Sequence, residues 1–118
     1  MSICIVIPSY NENENLNILL SEIYKIDLGD VDVVIVDDSK DSYQNQIKLN
    51  SKKIHYIHRG KKLGRGSAVL FGFSYILELN KKKDMFIEMD ADMSHNPNEL
   101  KKNINFFKEN KLDLLISS

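Results

Sequence analysis

The chain has 118 residues, 42% hydrophobic and 28% charged, with a formal net charge of -1. That length suits one domain around a single core, and the near-neutral charge excludes non-specific nucleic-acid binding as the main task. No apolar run reaches the ~18 residues of a membrane span, and the N-terminus enters a strand pattern with no signal peptide. His55, His58 and His95 lack zinc-site spacing and stand beside only one cysteine, Cys4. A cytoplasmic protein with no nucleic-acid partner is expected.

Residues 3–7 (ICIVI) form a continuous apolar run, the pattern of a strand covered on both faces, and Cys4 within it reads as a small buried hydrophobe. After Pro8 comes a polar loop and then a helix over 14–25, with Leu16, Leu19, Leu20, Ile23 and Tyr24 on one face. Residues 31–36 (VDVVIV) give a second strand ending at Asp37, Asp38 and Ser39. A weaker amphipathic pattern over 42–50 predicts a helix, and 54–58 a short third strand. The basic, glycine-bearing loop 59–67 (RGKKLGRGS) leads into a helix reaching about residue 79. Residues 85–89 form the fourth strand and run into Asp90 and Asp92. Asn96 and Pro97 are suited to open a helix over 97–110, and 112–116 make a fifth strand.

This β-α alternation predicts an α/β fold with a mainly parallel sheet flanked by helices. Such sheets bind ligands beyond the carboxyl ends of their strands. Every unusual loop falls at such an end: PSYNENE, DDS, HRGKKLGRG and DADMSH. The first β-α turn lacks the glycines of a dinucleotide fingerprint, and RGKKLGRGS is not a Walker loop. What remains is a basic loop (Arg59, Lys61, Lys62, Arg65) at a helix start, suited to an anion. Asp90 and Asp92 offer hard oxygen donors to Mg²⁺ or Mn²⁺. Together these predict a ligand that carries a diphosphate.

The motifs PSYNENENL, VIVDDS, KKLGRGSAVLFG and MDADMSHNP, in this order across the whole chain, resemble the nucleotide-diphospho-sugar glycosyltransferases of family 2. The likeness is nearest to the dolichyl- and polyprenyl-phosphate mannosyltransferases. It implies a GT-A, Rossmann-like fold in which Pro8, Tyr10 and Glu12 hold the nucleoside, with Val36 and Asp38 also against it. Asp90, Ala91 and Asp92 would lie along the diphosphate, Asp90 and Asp92 being the metal-bound and catalytic pair, while Arg59 and Lys62 would face phosphate. Relatives often carry Gln where Ser94 stands, which leaves open whether Ser94 joins the metal shell. The implied reaction is metal-dependent, inverting transfer of mannose from GDP-mannose to a polyprenyl phosphate at the cytoplasmic face of a membrane.

The family pattern continues beyond Ser118 with a donor-contacting arginine and an acceptor-facing half, so the resemblance implies a C-terminally incomplete domain. A non-catalytic nucleotide-sugar-binding fragment, or a split subunit completed by a protein partner, stands as the alternative. A phospho-accepting receiver domain is a further reading, since VIVDDS and MDADM both place carboxylates at strand ends. A full β-α unit precedes the acidic pair here, contrary to the receiver pattern.

Overall fold

The computed structural model describes residues 2–26, 29–48, 51–79, 83–91 and 115–116. Among these, five strands and two helices alternate: β1 (Ser2–Ser9), α1 (Asn13–Lys25), β2 (Asp30–Asp37), β3 (Ile54–His58), α2 (Arg65–Glu78), β4 (Met85–Glu88) and β5 (Leu115–Ile116). The strands form one sheet in the order β3-β2-β1-β4-β5, and every pairing is parallel. This order differs from the 2-1-3-4-5 order of flavodoxin-like sheets, to which receiver domains belong, and so argues against that reading.

β1 occupies the centre because both of its faces are apolar. Ile3, Ile5 and Ile7 pack with Val31, Val33, Ile35, Met85 and Ile87 beneath α1. Leu16, Leu19, Leu20 and Ile23 cover them from the helix and are essentially inaccessible to solvent, each contributing about 1.5–3 kcal/mol by burial. Tyr24, expected on that face, turns half out. The opposite face carries Cys4, Val6, Val34 and Val36 under Ala68 and Ile76 of α2. Burial pushes the Cys4 thiol up to about 12, with Lys83 lowering it and Asp32 raising it, so the group stays an inert thiol.

The strand run VDVVIV hides a charge. Asp32 is buried beside Cys4 and is held by Lys83 Nζ at 2.6 Å and His55 Nε2 at 2.9 Å. The His55 ring also meets Tyr75 of α2 edge-on, with centroids 5.6 Å apart. This cluster lies at the end of the sheet away from the candidate loops.

Among the described residues of the helix expected over 42–50, those from 42 to 48 form no α-helix and only a single 3-10 turn, Gln44–Gln46. The segment's backbone groups find other partners. Tyr43 N donates to Tyr56 Oη (2.8 Å), while Asn17 of α1 donates to the Gln46 carbonyl (2.7 Å) and accepts from Lys48 N (2.9 Å). α2 starts at Arg65, inside the stretch expected to be loop, because Gly64 turns the chain at φ 98°. The helix expected over 97–110 lies outside the described residues, as do Asp92, Ser94, Asn96 and Pro97. None of the described helices is long and apolar enough to cross a membrane.

Candidate functional site

The chain leaves β1 toward β2 on one side, and from β3 it returns across the sheet to β4 on the other. The carboxyl ends of β1 and β4 therefore diverge into a crevice, the position where open α/β sheets bind ligands. A cleft of about 230 Å³ opens there. Pro8, Ser9, Tyr10 and Glu12 line it from the end of β1, and Asp90 and Ala91 from the end of β4. Asp38 enters from β2, and Lys62, Gly64, Arg65 and Ala68 from the basic loop and the first turn of α2. Eight of the residues singled out in the sequence, Pro8, Tyr10, Glu12, Asp38, Lys62, Arg65, Asp90 and Ala91, thus share one cleft.

The loop after β1 is held by the one after β2. Asp37 Oδ1 accepts from Ser39 N (3.0 Å) and Ser39 Oγ (2.5 Å), and its other oxygen accepts from Tyr56 Oη. Ser39 Oγ in turn accepts from the backbone N of Asn11 at 2.7 Å. Asn11 has φ 57°, a left-handed conformation that Asn tolerates better than most residues. Asp38 N donates to the Ser9 carbonyl at 2.9 Å, which ties the two strand ends together. Glu12, at the start of α1, accepts from the Asn15 amide at 2.6 Å. The DDS sequence is thereby explained in part as a brace: Asp37 and Ser39 shape the neighbouring loop, and Asp38 alone lines the cleft.

Asp38 and Arg59 form a closed pair. Arg59 Nε donates to Oδ1 at 2.6 Å and an Nη to Oδ2 at 2.8 Å, and Leu63 N adds a third bond to Oδ2 at 3.0 Å. Burial pushes the Asp38 carboxyl up, but the Arg59 hydrogen bond, the Leu63 amide and the Arg59 charge together hold it below the usual carboxylate range. Arg59 also donates to Ser67 Oγ at 2.9 Å and stacks over Phe71, 5.7 Å from the ring centroid. With only 8% of its side chain exposed it faces Asp38, not the open cleft, so the expected turn toward phosphate is not present. Val36 likewise sits wholly inside the core beneath α2, and its side chain does not line the cleft.

Lys62 lines the cleft from the basic loop. Its ammonium lies 5.2 Å from the centroid of the Tyr10 ring, an attractive contact that also orients the ring. On the β4 side, Arg65 donates through Nε to Glu88 Oε1 at 2.7 Å and through an Nη to Asp90 Oδ1. In the sequence Arg65 is one cation of a basic loop, with no spacing that ties it to these carboxylates. Glu88, two residues before Asp90, was the available signal. Ser9 Oγ is buried at the cleft wall with no hydrogen-bond partner among the described residues.

Glu88 and Asp90 are hard oxygen donors of the kind that Mg²⁺ and Mn²⁺ take. Both already hold a cationic guanidinium, so positive charge sits where a divalent ion would be expected. No group of three candidate ligands converges among the described residues, and Asp92, the other half of the expected pair, lies outside them.

A family profile described as glycosyl transferase family 2 matches residues 4–118. The dolichol-phosphate mannosyltransferase of Pyrococcus furiosus is 36% identical over 122 aligned positions, covering 100% of this chain and 33% of that protein. The polyprenol monophosphomannose synthase of Mycolicibacterium smegmatis is 34% identical, covering 81% of this chain and 37% of its own length. The undecaprenyl-phosphate mannosyltransferase of Micrococcus luteus is also 34% identical, with 85% and 42% covered. The chain thus spans about a third to two-fifths of the length of these relatives. Among solved structures, S. aureus TarS 1–349 in complex with UDP superposes with a TM-score of 0.65 at 22% identity, over 92% of this chain and 32% of that one. That likeness shows the shared fold, the GT-A sheet and helices expected from the sequence.

Proposed function

Because the chain belongs to the family 2 glycosyltransferases, we propose that its cleft binds a nucleotide-diphospho sugar, GDP-mannose, as the donor for transfer to a polyprenyl phosphate. The observation that carries this reading is the convergence of Tyr10, Asp38, Lys62 and Asp90 on the switch-point crevice. An aromatic ring, a carboxylate kept ionised, a cation and a metal-type carboxylate are the groups that a nucleoside and its diphosphate need. The relatives named for polyprenyl- and dolichol-phosphate mannose transfer support the choice of sugar and acceptor.

In this reading Tyr10 lies beside the nucleoside, and Asp38, immobilised by Arg59, accepts an N–H from the base. Lys62 and the first turn of α2, where backbone N–H groups lack helical partners, neutralise the diphosphate. Asp90, with Asp92, would hold Mg²⁺ or Mn²⁺. When bound, that ion supplies Lewis-acid stabilisation of the departing nucleoside diphosphate. A phosphate acceptor is already anionic at neutral pH, with a second pKa near ~6, so these residues need supply no general base. Direct attack at the anomeric carbon inverts it. The lipid of such an acceptor would bring the reaction to a membrane surface.

Calorimetry tests the donor site. GDP should bind in the presence of Mn²⁺ and much more weakly with chelator, and Asp90→Asn or Asp92→Ala should remove the metal-dependent part. UDP run in parallel reports the base preference. If neither nucleotide shows a metal-dependent component, or if both variants keep it, the reading fails.

A further inference from the structure

We propose that Arg65 is a built-in competitor of the divalent cation for Asp90, and that this competition makes metal and nucleoside diphosphate bind the cleft together. The proposal rests on the reading of Asp90 as a metal ligand and goes beyond it.

Arg65 is the first residue of α2, aimed across the cleft mouth by the turn at Gly64. Its guanidinium bridges Glu88 and Asp90, whose side chains are only 12% and 15% exposed. A cation arriving alone at Asp90 would meet the positive charge already there. It must break the charge-assisted bond between Arg65 and Asp90 and then remain beside a displaced guanidinium of like sign. That penalty weakens binding of the metal by itself.

A diphosphate changes the balance. The Arg65 side chain is 44% exposed and lines the same cleft as Lys62, so once displaced it can donate a paired hydrogen bond to phosphate oxygens. The anion thus takes over the guanidinium that the metal expels. Each ligand removes an obstacle to the other, and by linkage the effect is reciprocal. Arginine suits this task because its fork can hold two carboxylates, or two phosphate oxygens, at once.

The test measures Mn²⁺ binding to the whole 118-residue chain by electron paramagnetic resonance of the free ion, without nucleotide. GDP titrations by calorimetry with and without Mn²⁺ accompany it. Arg65→Gln and Arg65→Met should each bind Mn²⁺ alone about 5- to 20-fold more tightly than the unaltered chain, within the usual span of coupling between sites. The factor by which Mn²⁺ strengthens GDP binding should fall in both. Arg65→Lys, which keeps the charge, should stay within about threefold of the unaltered chain for Mn²⁺ alone. Unchanged or weaker Mn²⁺ binding in both neutral variants, with Asp90→Asn still abolishing it, overturns the competition while leaving the metal site intact. Full Mn²⁺ binding in Asp90→Asn overturns the metal assignment and the competition with it.

Discussion

Placing a methyl group at Gly72 should destabilise the protein, although alanine is the better helix former. Gly72 lies in α2 where the helix crosses β1, and a Cβ there would stand 2.6 Å from Val6 Cγ1 and 2.9 Å from Cγ2. Val6 cannot retreat. It is fully buried on the central strand, hydrogen-bonded in register between Val34 and Glu88, and its branched side chain is restricted at χ1. Replacing glycine in a helix gains up to about 1 kcal/mol, whereas forcing a methyl into a packed core costs about 1–3 kcal/mol. The balance is a net loss of roughly 0.5–2 kcal/mol for Gly72→Ala, with the clash term the larger. Urea unfolding followed by circular dichroism would show a lower midpoint. In a double-mutant cycle, Val6→Ala should cost less in the Gly72→Ala background than in the original chain, since it clears space for the new methyl. A midpoint for Gly72→Ala equal to or above that of the original would refute the close approach of α2 to β1.

Removing the Arg59 side chain should be more damaging, because it strands a buried carboxylate. Arg59→Ala is expected to cost about 3–5 kcal/mol, read as a fall in thermal midpoint, and a loss below ~0.5 kcal/mol would contradict a closed pair. The pH response follows from the lowered Asp38 pKa: a carboxyl depressed in the native state adds stability above the ordinary value of about 3.9, and this is lost as pH falls through the native value. In Arg59→Met burial is left to push the same carboxyl up, so the stability deficit of this variant should be widest at neutral pH and narrow on acidification in a denaturant series from pH 7 to about 3, and parallel curves would count against it. Lys83→Met removes the ammonium held against buried Asp32; stability should fall, and the further substitution Asp32→Asn should recover part of it. No recovery in the double variant would mean that the charge of Asp32 is not what makes Lys83 necessary.

The sheet could be read from the sequence because four apolar runs, 3–7, 31–36, 54–58 and 85–89, are separated by loops with strong turn chemistry. The interval 54–58 coincides with β3, and the polar loops do meet at one rim. Residues 42–50 misled because helical periodicity needs a surface to pack on. Among its described residues only Ile47 packs against the core, and side chains from α1 and β3 supply the backbone partners instead. The pairings of charged groups were also hidden. Arg59 reaches a carboxylate 21 positions earlier, and Arg65 one 23 positions later. Which cation faces ligand and which faces its own protein depends on loop geometry that composition does not carry.

The centre of the sheet is also its earliest strand. β1 pairs with β2 promptly, but its other edge waits for β4, and Ser2 N reaches Asp84 Oδ2 (2.8 Å) across 82 positions. At synthesis rates of ~5–20 residues per second, the interval between Asp37 and Met85 keeps the inner edge of β1 open for roughly 2–10 s on the ribosome. During that time the most apolar strand of the protein presents unpaired amides and carbonyls, the kind of edge that recruits foreign strands. Contacts this distant in sequence slow folding, and closure of β4 onto β1 should be the step that ends the exposure. Pulsed hydrogen exchange would then find the β1 amides that bond to β4 gaining protection together with those of β4, and later than the β1–β2 ladder.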